Sequence, residues 1–406
     1  MTGIAVRTDN AVLNKSNLVF VIYCCTIISV VGLIFSIAVS SIAMGIAIVL
    51  LLYYFVTSGL RSFSGTSLDL FFFCYAVVEL LASVFSVEPS ASFFNMKRLF
   101  LISFVYLVLV SVNDKNKFLF ILGLLIGVTS LLSFFEIFSL TSLAGRFMRV
   151  SLFQYYLTEG GIKMISLLLL LPLLLHSQTP RSWKIWGTLM SLPIFIALIL
   201  TQTRSAWLAL IGGICTIAVL KNWKIIFVLV AILILFMLFA PADFRNRAVS
   251  IVDLHDKSNM SRLQMISTGW KMFLDHPVFG IGDIDLKKIY VTYVVPLDEG
   301  EGGHLHNNIM MLLVTLGIVG SIATTALFIR LLQVELRTLR ATRTHWLYGS
   351  VTLGCIAAYV GFHINGLFEW NFGDHEIAVL LWFSVGIALV SERLYKHDPG
   401  IGENER

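Results

Sequence analysis

The sequence is short of charged residues. Only 13% of its 406 residues are Asp, Glu, Lys or Arg, whereas about 25% is usual for a soluble protein. Hydrophobic residues make up 57% of the chain, and the mean hydropathy is +0.87. This scarcity of charge excludes an ordinary soluble domain, so lipid is expected to be the solvent for most of the chain.

The sequence also lacks the signals of a cysteine-based site and of a cleaved leader. Its five cysteines all fall in apolar stretches, and none has the CxxC spacing of a metal or redox site. The first apolar run, from residue 18, is too long for a signal peptide and has no small-residue cleavage site, so we expect it to be the first membrane helix. The cysteines are Cys24, Cys25, Cys74, Cys215 and Cys355.

Long apolar runs dominate the chain instead. A helix needs about 20 apolar residues to cross a bilayer core of about 30 Å. The runs are continuous, whereas the strands of a membrane barrel would alternate between apolar and polar residues. The sequence therefore predicts an all-α polytopic membrane protein, a single membrane domain over 1–406 with about 12 transmembrane helices. The predicted spans are 18–38, 42–57, 68–86, 99–112, 118–140, 163–176, 185–202, 205–220, 224–240, 307–330, 346–368 and 376–391.

Basic residues between the spans predict the orientation. Short loops rich in Lys and Arg stay in the cytoplasm, and in a twelve-span chain the basic loops all fall on one side. Both termini are then cytoplasmic. The long segment 241–306 is predicted to be an extracytoplasmic loop, periplasmic in a Gram-negative host. The orienting groups are 330–343, Arg181 and Lys184, Lys221 and Lys224, Arg7 and Lys15, and Arg393 and Lys396.

A second set of cations is predicted on the outer side, against this bias. Most such residues anchor a helix end to lipid headgroups. Arg204 differs, because it lies in a brief turn, 201–207, between two spans, which directs its guanidinium to the outer mouth of the bundle. A fixed cation there suits an anionic ligand. The outer cations are Lys97, Arg98, Arg146, Arg149, Lys163, Arg204, Arg245, Arg247 and Arg262.

The external loop carries the best catalytic candidate. Apolar residues at helical spacing predict an amphipathic helix over 261–273, with Arg262 in its first turn and Asp275-His-Pro277 as its stop. His306 lies where the loop re-enters the membrane, so its imidazole can meet both water-soluble and lipid-borne groups. His304, two residues earlier, is the rival candidate.

The chemistry of Arg204, Arg262 and His306 fits glycosyl transfer from a polyprenyl diphosphate. Two arginines can bind diphosphate oxygens with paired hydrogen bonds and stabilise the leaving group. A neutral histidine can take the proton of an attacking sugar hydroxyl. This scheme needs no protein nucleophile and no cofactor, and a single displacement inverts the anomeric centre.

Several other polar residues are weaker candidates. Asp283-Ile-Asp285 is a DxD sequence that could bind a metal, but arginines already supply positive charge, so we predict no metal site. Glu79 and Glu136 lie inside apolar spans, where ionisable groups are costly, and the sequence assigns neither a partner. Supporting roles at the site are predicted for His304, Arg146, Arg149, Lys163, Glu369 and Asp374.

The segment His306-Asn307, nine residues, then Gly317-x-x-Gly320 resembles the signature of the bacterial O-antigen ligases. Thr203-Arg-Ser-Ala-Trp207 and the stretch from Arg262 to Gly282 resemble a region that these ligases share with O-antigen polymerases. The likeness covers 201–320. It implies a GT-C-like enzyme of the inner membrane that transfers O-antigen from undecaprenyl diphosphate to lipid A-core in lipopolysaccharide biosynthesis, inverting and without metal. It also implies that His306 is the base and that Arg204 and Arg262 bind the diphosphate.

Two alternatives stay open. An O-antigen polymerase would use the same donor but another lipid-linked glycan as acceptor. A transporter or flippase for the lipid-linked sugar would also need cations for the diphosphate, but broken midplane helices and an internal repeat are typical of that class, and no repeat is evident. The expected partners are the lipid-linked donor, the lipid acceptor and membrane lipids, with no nucleic acid.

Overall fold

The structure is a computed structural model that describes residues 15–58, 65–142, 151–294 and 303–398. Within these ranges all regular structure is helical, which confirms the predicted all-α class. A 3-10 helix, Met96–Ile102, joins the helix Pro89–Asn95 to the helix Ser103–Ser111. The helices are α1 (Lys15–Phe35), α2 (Ile37–Ser58), α3 (Asp69–Val84), α4 (Pro89–Asn95), α5 (Ser103–Ser111), α6 (Lys115–Ser142), α7 (Tyr156–Leu174), α8 (Arg181–Leu200), α9 (Arg204–Lys221), α10 (Ile225–Phe239), α11 (Ala242–Val249), α12 (Lys257–Asp275), α13 (Lys287–Tyr293), α14 (Asn308–Thr342), α15 (Tyr348–Asn365) and α16 (His375–His397).

Nine helical segments of the described chain are long and apolar enough to cross a membrane, counting α4 through α5 as one. The three other predicted spans coincide with α3, α10 and α15, which are shorter or less apolar. The protein is therefore a polytopic membrane protein. The helix α10 has a single buried residue, Leu229, and exposes most of its remaining apolar surface, as expected of a helix at the lipid boundary.

The helix α15 forms the centre of the bundle, packing against α7, α9, α14 and α16. Nearly all of its residues are buried, including Asn365. A helix surrounded by protein rather than lipid does not need an apolar side chain at every position. This explains how α15 can carry His363 and several glycines and still lie among the membrane helices.

The two ends of the bundle collect different loops. At one end Lys115 and Tyr348 both contact Asp398, each at 3.1 Å, and the rings of Trp183 and Trp346 lie 6.5 Å apart. These contacts bring together the connections before α6, α8 and α15 and the end of α16. The other end holds α11, α12 and the turn before α16. Several of the basic loops that are predicted to lie in the cytoplasm are thus grouped at one end of the helix bundle.

The long helix α14 is broken at Gly317, and residues 277–282, here called the strap, fill the break. The amides of Ile281 and Gly282 donate to carbonyl oxygens of α14 before the break, at 2.9 and 3.0 Å. After the break, the amide of Ile318 donates to a strap carbonyl at 2.8 Å. Non-helical backbone at membrane depth is tolerated only where such partners satisfy it, so the strap and α14 depend on each other.

Glycine is required at two positions of this junction. Gly317 has φ +62° and ψ −166°, and a Cβ there would lie 2.3 Å from the carbonyl oxygen of Val278. Gly280 has φ +71°, and its Cβ would lie 2.5 Å from the carbonyl oxygen of Val314. A side chain at either position would combine an unfavourable backbone conformation with a collision against main-chain atoms.

The predicted amphipathic helix lies within α12 and ends at Asp275 as expected. It packs against α14 through Met265, Thr268, Gly269 and Met272, which are buried. Its apolar residues Leu263 and Trp270 are about half exposed instead. The helix therefore attaches to the start of α14 by one face and carries Arg262 toward the same region.

Candidate active site

His306 precedes α14 and has a backbone conformation that is uncommon for any residue other than glycine, with φ +45°. Its Nδ1 lies 2.8 Å from Oε2 of Glu369. Because a carboxylate only accepts hydrogen bonds, Nδ1 is the donor in this pair, and in the neutral ring Nε2 is then the nitrogen with the lone pair. No described residue hydrogen-bonds to Nε2. This tautomer suits a proton acceptor.

The second oxygen of Glu369 joins the histidine to Arg262. Oε1 of this buried carboxylate accepts from Nη2 of Arg262 at 2.8 Å. The same guanidinium donates from Nε to the Phe368 carbonyl at 3.1 Å and from Nη1 to Ser258 Oγ at 2.8 Å. Arg262 is thus fixed by three contacts in different directions, and Glu369 couples it to His306.

Asparagines after the histidine hold this arrangement in register. Asn307 caps α14 by accepting from the amide of Met310 at 2.9 Å, and its side-chain amide donates to the Leu367 carbonyl at 2.8 Å. The amide of Asn308 donates to the Gly366 carbonyl at 2.7 Å. These bonds connect the start of α14 to the turn that carries Glu369. The asparagine next to His306 therefore helps to hold the histidine beside Glu369.

Arg204 is tied to the same region through the start of α12. It is the first residue of α9, and it donates to Ser250 at 2.7 and 2.9 Å and to Oδ1 of Asp256 at 3.0 Å. Asp256 also caps α12. Burial alone would raise the pKa of Asp256, but the hydrogen bond and charge of Arg204 outweigh it and lower that pKa. Asp256 is therefore a charged anchor between Arg204 and the helix of Arg262.

Two cavities meet at His306, which lines both. The smaller, of about 330 Å³, is called the arginine cavity because Arg204, Arg247 and Arg262 line it. The larger, of about 720 Å³, is called the carboxylate cavity and is lined by several acidic residues and by Trp370. The structure thus brings Arg204, Arg262 and His306 to one site, and His306 separates two binding spaces.

His304 and Asp374, both predicted to support the site, line the carboxylate cavity. The rings of His304 and His306 are 4.2 Å apart. Desolvation by the surrounding protein and the neighbouring His306 lower the pKa of His304, although Glu369 and Asp374 act in the opposite direction. Asp374 caps α16 and accepts from Thr158 Oγ1 at 2.7 Å.

Other predicted supporting residues lie elsewhere. Lys163 lines neither cavity; it is buried in α7, with Nζ 2.8 Å from Glu159 and 3.0 Å from Glu136. These contacts give Glu136 the partner that sequence could not assign. Glu79, the other carboxyl inside an apolar span, accepts a hydrogen bond from Tyr75. Arg146 and Arg149 lie outside the described residues.

The DxD sequence is divided between two environments. Asp283 is buried and accepts from Nη1 of Arg98 with both oxygens, each at 2.6 Å. Asp285 is exposed to the carboxylate cavity, and its Oδ1 accepts from the amide of Lys287 at 2.9 Å. Among the described residues no group of three or more His, Cys, Asp or Glu side chains could hold a metal ion. At Asp283 the guanidinium of Arg98 occupies the position beside the carboxylate that a metal ion would need.

Sequence reasoning missed three contributors. Asp256 and Ser258 are not among the candidates that the sequence singles out, and Arg247 is only one of the predicted outer cations. Their position around the arginine cavity follows from α11 and α12 folding back over the start of α9. The Asp-x-Ser pattern before an amphipathic helix was an available signal for a helix cap, but not for the pairing with Arg204.

Residues 189–325 match the family described as O-antigen ligase. The match includes Arg204, Arg262 and His306 and ends before Glu369. No curated protein matches the chain.

Proposed function

We propose that this chain is an O-antigen ligase, because residues 189–325 match the family described as O-antigen ligase. In this proposal it transfers O-antigen polysaccharide from undecaprenyl diphosphate to a sugar hydroxyl of lipid A-core, as the resemblance of the His306 segment implied. The membrane helices and the family match support a lipid-linked polysaccharide substrate. The proposed site faces the periplasm from the inner membrane, with both termini in the cytoplasm.

One observation carries the proposal: Glu369 holds Arg262 with one oxygen and His306 with the other, between two cavities. A glycosyl transfer to a hydroxyl needs positive charge at the leaving diphosphate and a proton acceptor on the opposite side of the reacting carbon. The chain Arg262–Glu369–His306 supplies both from fixed positions. Electrostatic groups that are already in place before reaction contribute most when water is excluded.

The proposed reaction is a single displacement. The acceptor hydroxyl oxygen bonds to the anomeric carbon, the bond from that carbon to the diphosphate oxygen breaks, and its electron pair leaves with the diphosphate. Nε2 of His306 takes the hydroxyl proton, and Glu369 stabilises the imidazolium that forms. Arg204 and Arg262 stabilise the leaving diphosphate. Attack from the face opposite the leaving group inverts the configuration, and no metal is required in this scheme.

The product identifies the reaction. Purified protein in lipid vesicles is given undecaprenyl-diphosphate glycan and lipid A-core, and lipid products are separated by size and mass. The proposal expects glycan attached to lipid A-core and free undecaprenyl diphosphate. Longer lipid-linked glycans without transfer to lipid A-core would make the protein a polymerase. Movement of the intact donor between leaflets without any new glycosidic bond would make it a transporter.

A further inference from the structure

The two cavities that meet at His306 differ in charge. The described wall of the arginine cavity holds three arginines and no carboxylate, and the carboxylates that pair with two of these arginines lie outside that wall. The described wall of the carboxylate cavity holds five carboxyl groups and Arg98, and two of its carboxylates, Asp285 and Asp374, have no arginine or lysine contact. A diphosphate is strongly anionic, so only the arginine cavity suits it. The other cavity is left for the acceptor.

The charge of the carboxylate cavity is only partly compensated. Arg98 neutralises Asp283, and Arg262 neutralises Glu369 from the other side. Asp285 accepts from a main-chain amide, and Asp374 accepts from Thr158 and from the amides at the start of α16. These contacts orient the carboxylates without cancelling their charge. An anionic group that enters this space therefore meets like charges.

The remaining wall suits a sugar. Trp370 presents an aromatic surface, and Gln154, Thr158 and Asn95 supply side-chain donors and acceptors beside the carboxylates. Apolar and aromatic walls with a few convergent polar groups are usual in ligand sites of 300 to 1,000 Å³. Carboxylates accept hydrogen bonds from hydroxyl and ammonium groups, and they repel phosphate.

Resting on the proposed function, we propose that the carboxylate cavity binds the acceptor sugar and selects it by charge. It accepts a neutral or amino-substituted sugar at the reacting hydroxyl and rejects one that carries a phosphate there. The opposite charges of the two cavities also fix the direction of transfer, because the diphosphate of the donor is excluded from the acceptor side. Asp285 and Asp374 determine this specificity, while His306 performs the chemistry.

Three synthetic acceptors test the charge selection. Hexyl glycosides of one disaccharide are prepared with a neutral terminal sugar, with an amino substituent and with a phosphate beside the reacting hydroxyl. Purified protein with undecaprenyl-diphosphate glycan is expected to use the phosphorylated acceptor with kcat/KM at least about 10-fold below the neutral one. The amino sugar is expected to equal or exceed the neutral one. Equal use of the phosphorylated and neutral acceptors would overturn the inference.

The variant Asp285→Asn removes one charge and keeps the shape of the side chain. We expect the ratio of kcat/KM for the neutral acceptor to kcat/KM for the phosphorylated acceptor to fall by about 3-fold or more in this variant. Asp243→Asn is the matched control, because Asp243 is an exposed residue of α11 that lines neither described cavity wall. An unchanged preference in Asp285→Asn, or the same change in Asp243→Asn, would count against the assignment.

A binding measurement separates this inference from the proposed reaction. The three glycosides are titrated into detergent-solubilised protein without donor, and affinity is followed by thermophoresis. Weaker binding of the phosphorylated glycoside that is relieved in Asp285→Asn supports charge selection even if no transfer occurs, in which case only the proposed ligase reaction fails. Transfer to all three acceptors at equal rates, or no binding of any, would refute the charge selection itself.

Discussion

At the scale of single residues, Glu369 determines what His306 can do. By accepting from Nδ1 it selects the ring tautomer, and by accepting from Arg262 with its other oxygen it is held in place beside the ring. A histidine in a rare backbone conformation must be held there by its surroundings, and the bonds of Asn307 and Asn308 supply that restraint. Glu369 is accordingly a positioning residue for the proposed base.

Replacing Glu369 by glutamine is expected to reduce kcat on the order of 100-fold or more. The amide has one acceptor oxygen where two donors must be met, so either His306 or Arg262 loses its partner, and the charge that stabilises an imidazolium is gone. The measurement is steady-state transfer with KM for the acceptor determined separately. Glu369→Asp keeps the charge and should recover part of kcat. A loss confined to protein yield, with normal kcat, would leave Glu369 a merely structural residue.

The change Arg262→Lys is expected to lower kcat/KM for the donor about 100-fold. Arg262 makes three contacts in different directions, and an ammonium cannot reproduce that planar fork. Arg245→Lys is the control, because Arg245 is exposed on α11 and lines neither described cavity wall. Activity of Arg262→Lys within about 3-fold of the control would argue against a role for the fork in diphosphate binding.

At the scale of elements, the strap and the break in α14 set the position of the site. The nine residues between Asn307 and Gly317 form the first part of α14, and the strap is bonded to the end of that part. The strap itself follows α12, which carries Arg262. The glycines therefore act at a distance from the reacting groups, by connecting the helix of the arginine to the helix of the histidine.

Gly317→Ala tests this connection. The backbone conformation costs a non-glycine residue about 1 to 3 kcal/mol, and the added Cβ would also meet the Val278 carbonyl. We expect a lower melting temperature and loss of most transfer activity. Gly123→Ala is the matched control, since nothing lies within 4 Å of its Cβ and alanine favours the helix interior. Normal activity and melting temperature of Gly317→Ala would show that the junction tolerates a side chain.

The sequence predicted the elements better than their contacts. Apolar runs located the helices because burial in lipid imposes a length and a composition, and helical spacing located α12. Partners across the chain follow no such pattern: Glu369 is 63 residues from His306 and 107 from Arg262. Lys163 was expected at the outer surface, because an unpaired cation in a membrane protein usually lies at the interface between membrane and water. In the structure it forms ion pairs with two glutamates inside the bundle.

At the scale of the whole molecule, the two ends of the bundle are expected to lie on opposite sides of the membrane. We expect Leu254→Cys, near the site, to react with a membrane-impermeant maleimide in cells with a permeabilised outer membrane. Arg340→Cys should react only after lysis. The parent protein measures background, because its five cysteines lie in helices of the bundle. The reverse labelling pattern would place the site in the cytoplasm.

The proposed mechanism requires that His306 is the base and that the transfer needs no metal ion. The most direct test compares transfer rates of the parent protein, His306→Ala and His304→Ala, each with EDTA and at equal amounts of folded protein in vesicles. We predict full activity of the parent in EDTA, loss of at least about 1,000-fold in His306→Ala and retention of much of the activity in His304→Ala. Activity of His306→Ala near that of the parent, or abolition of the parent's activity by EDTA, would contradict the mechanism.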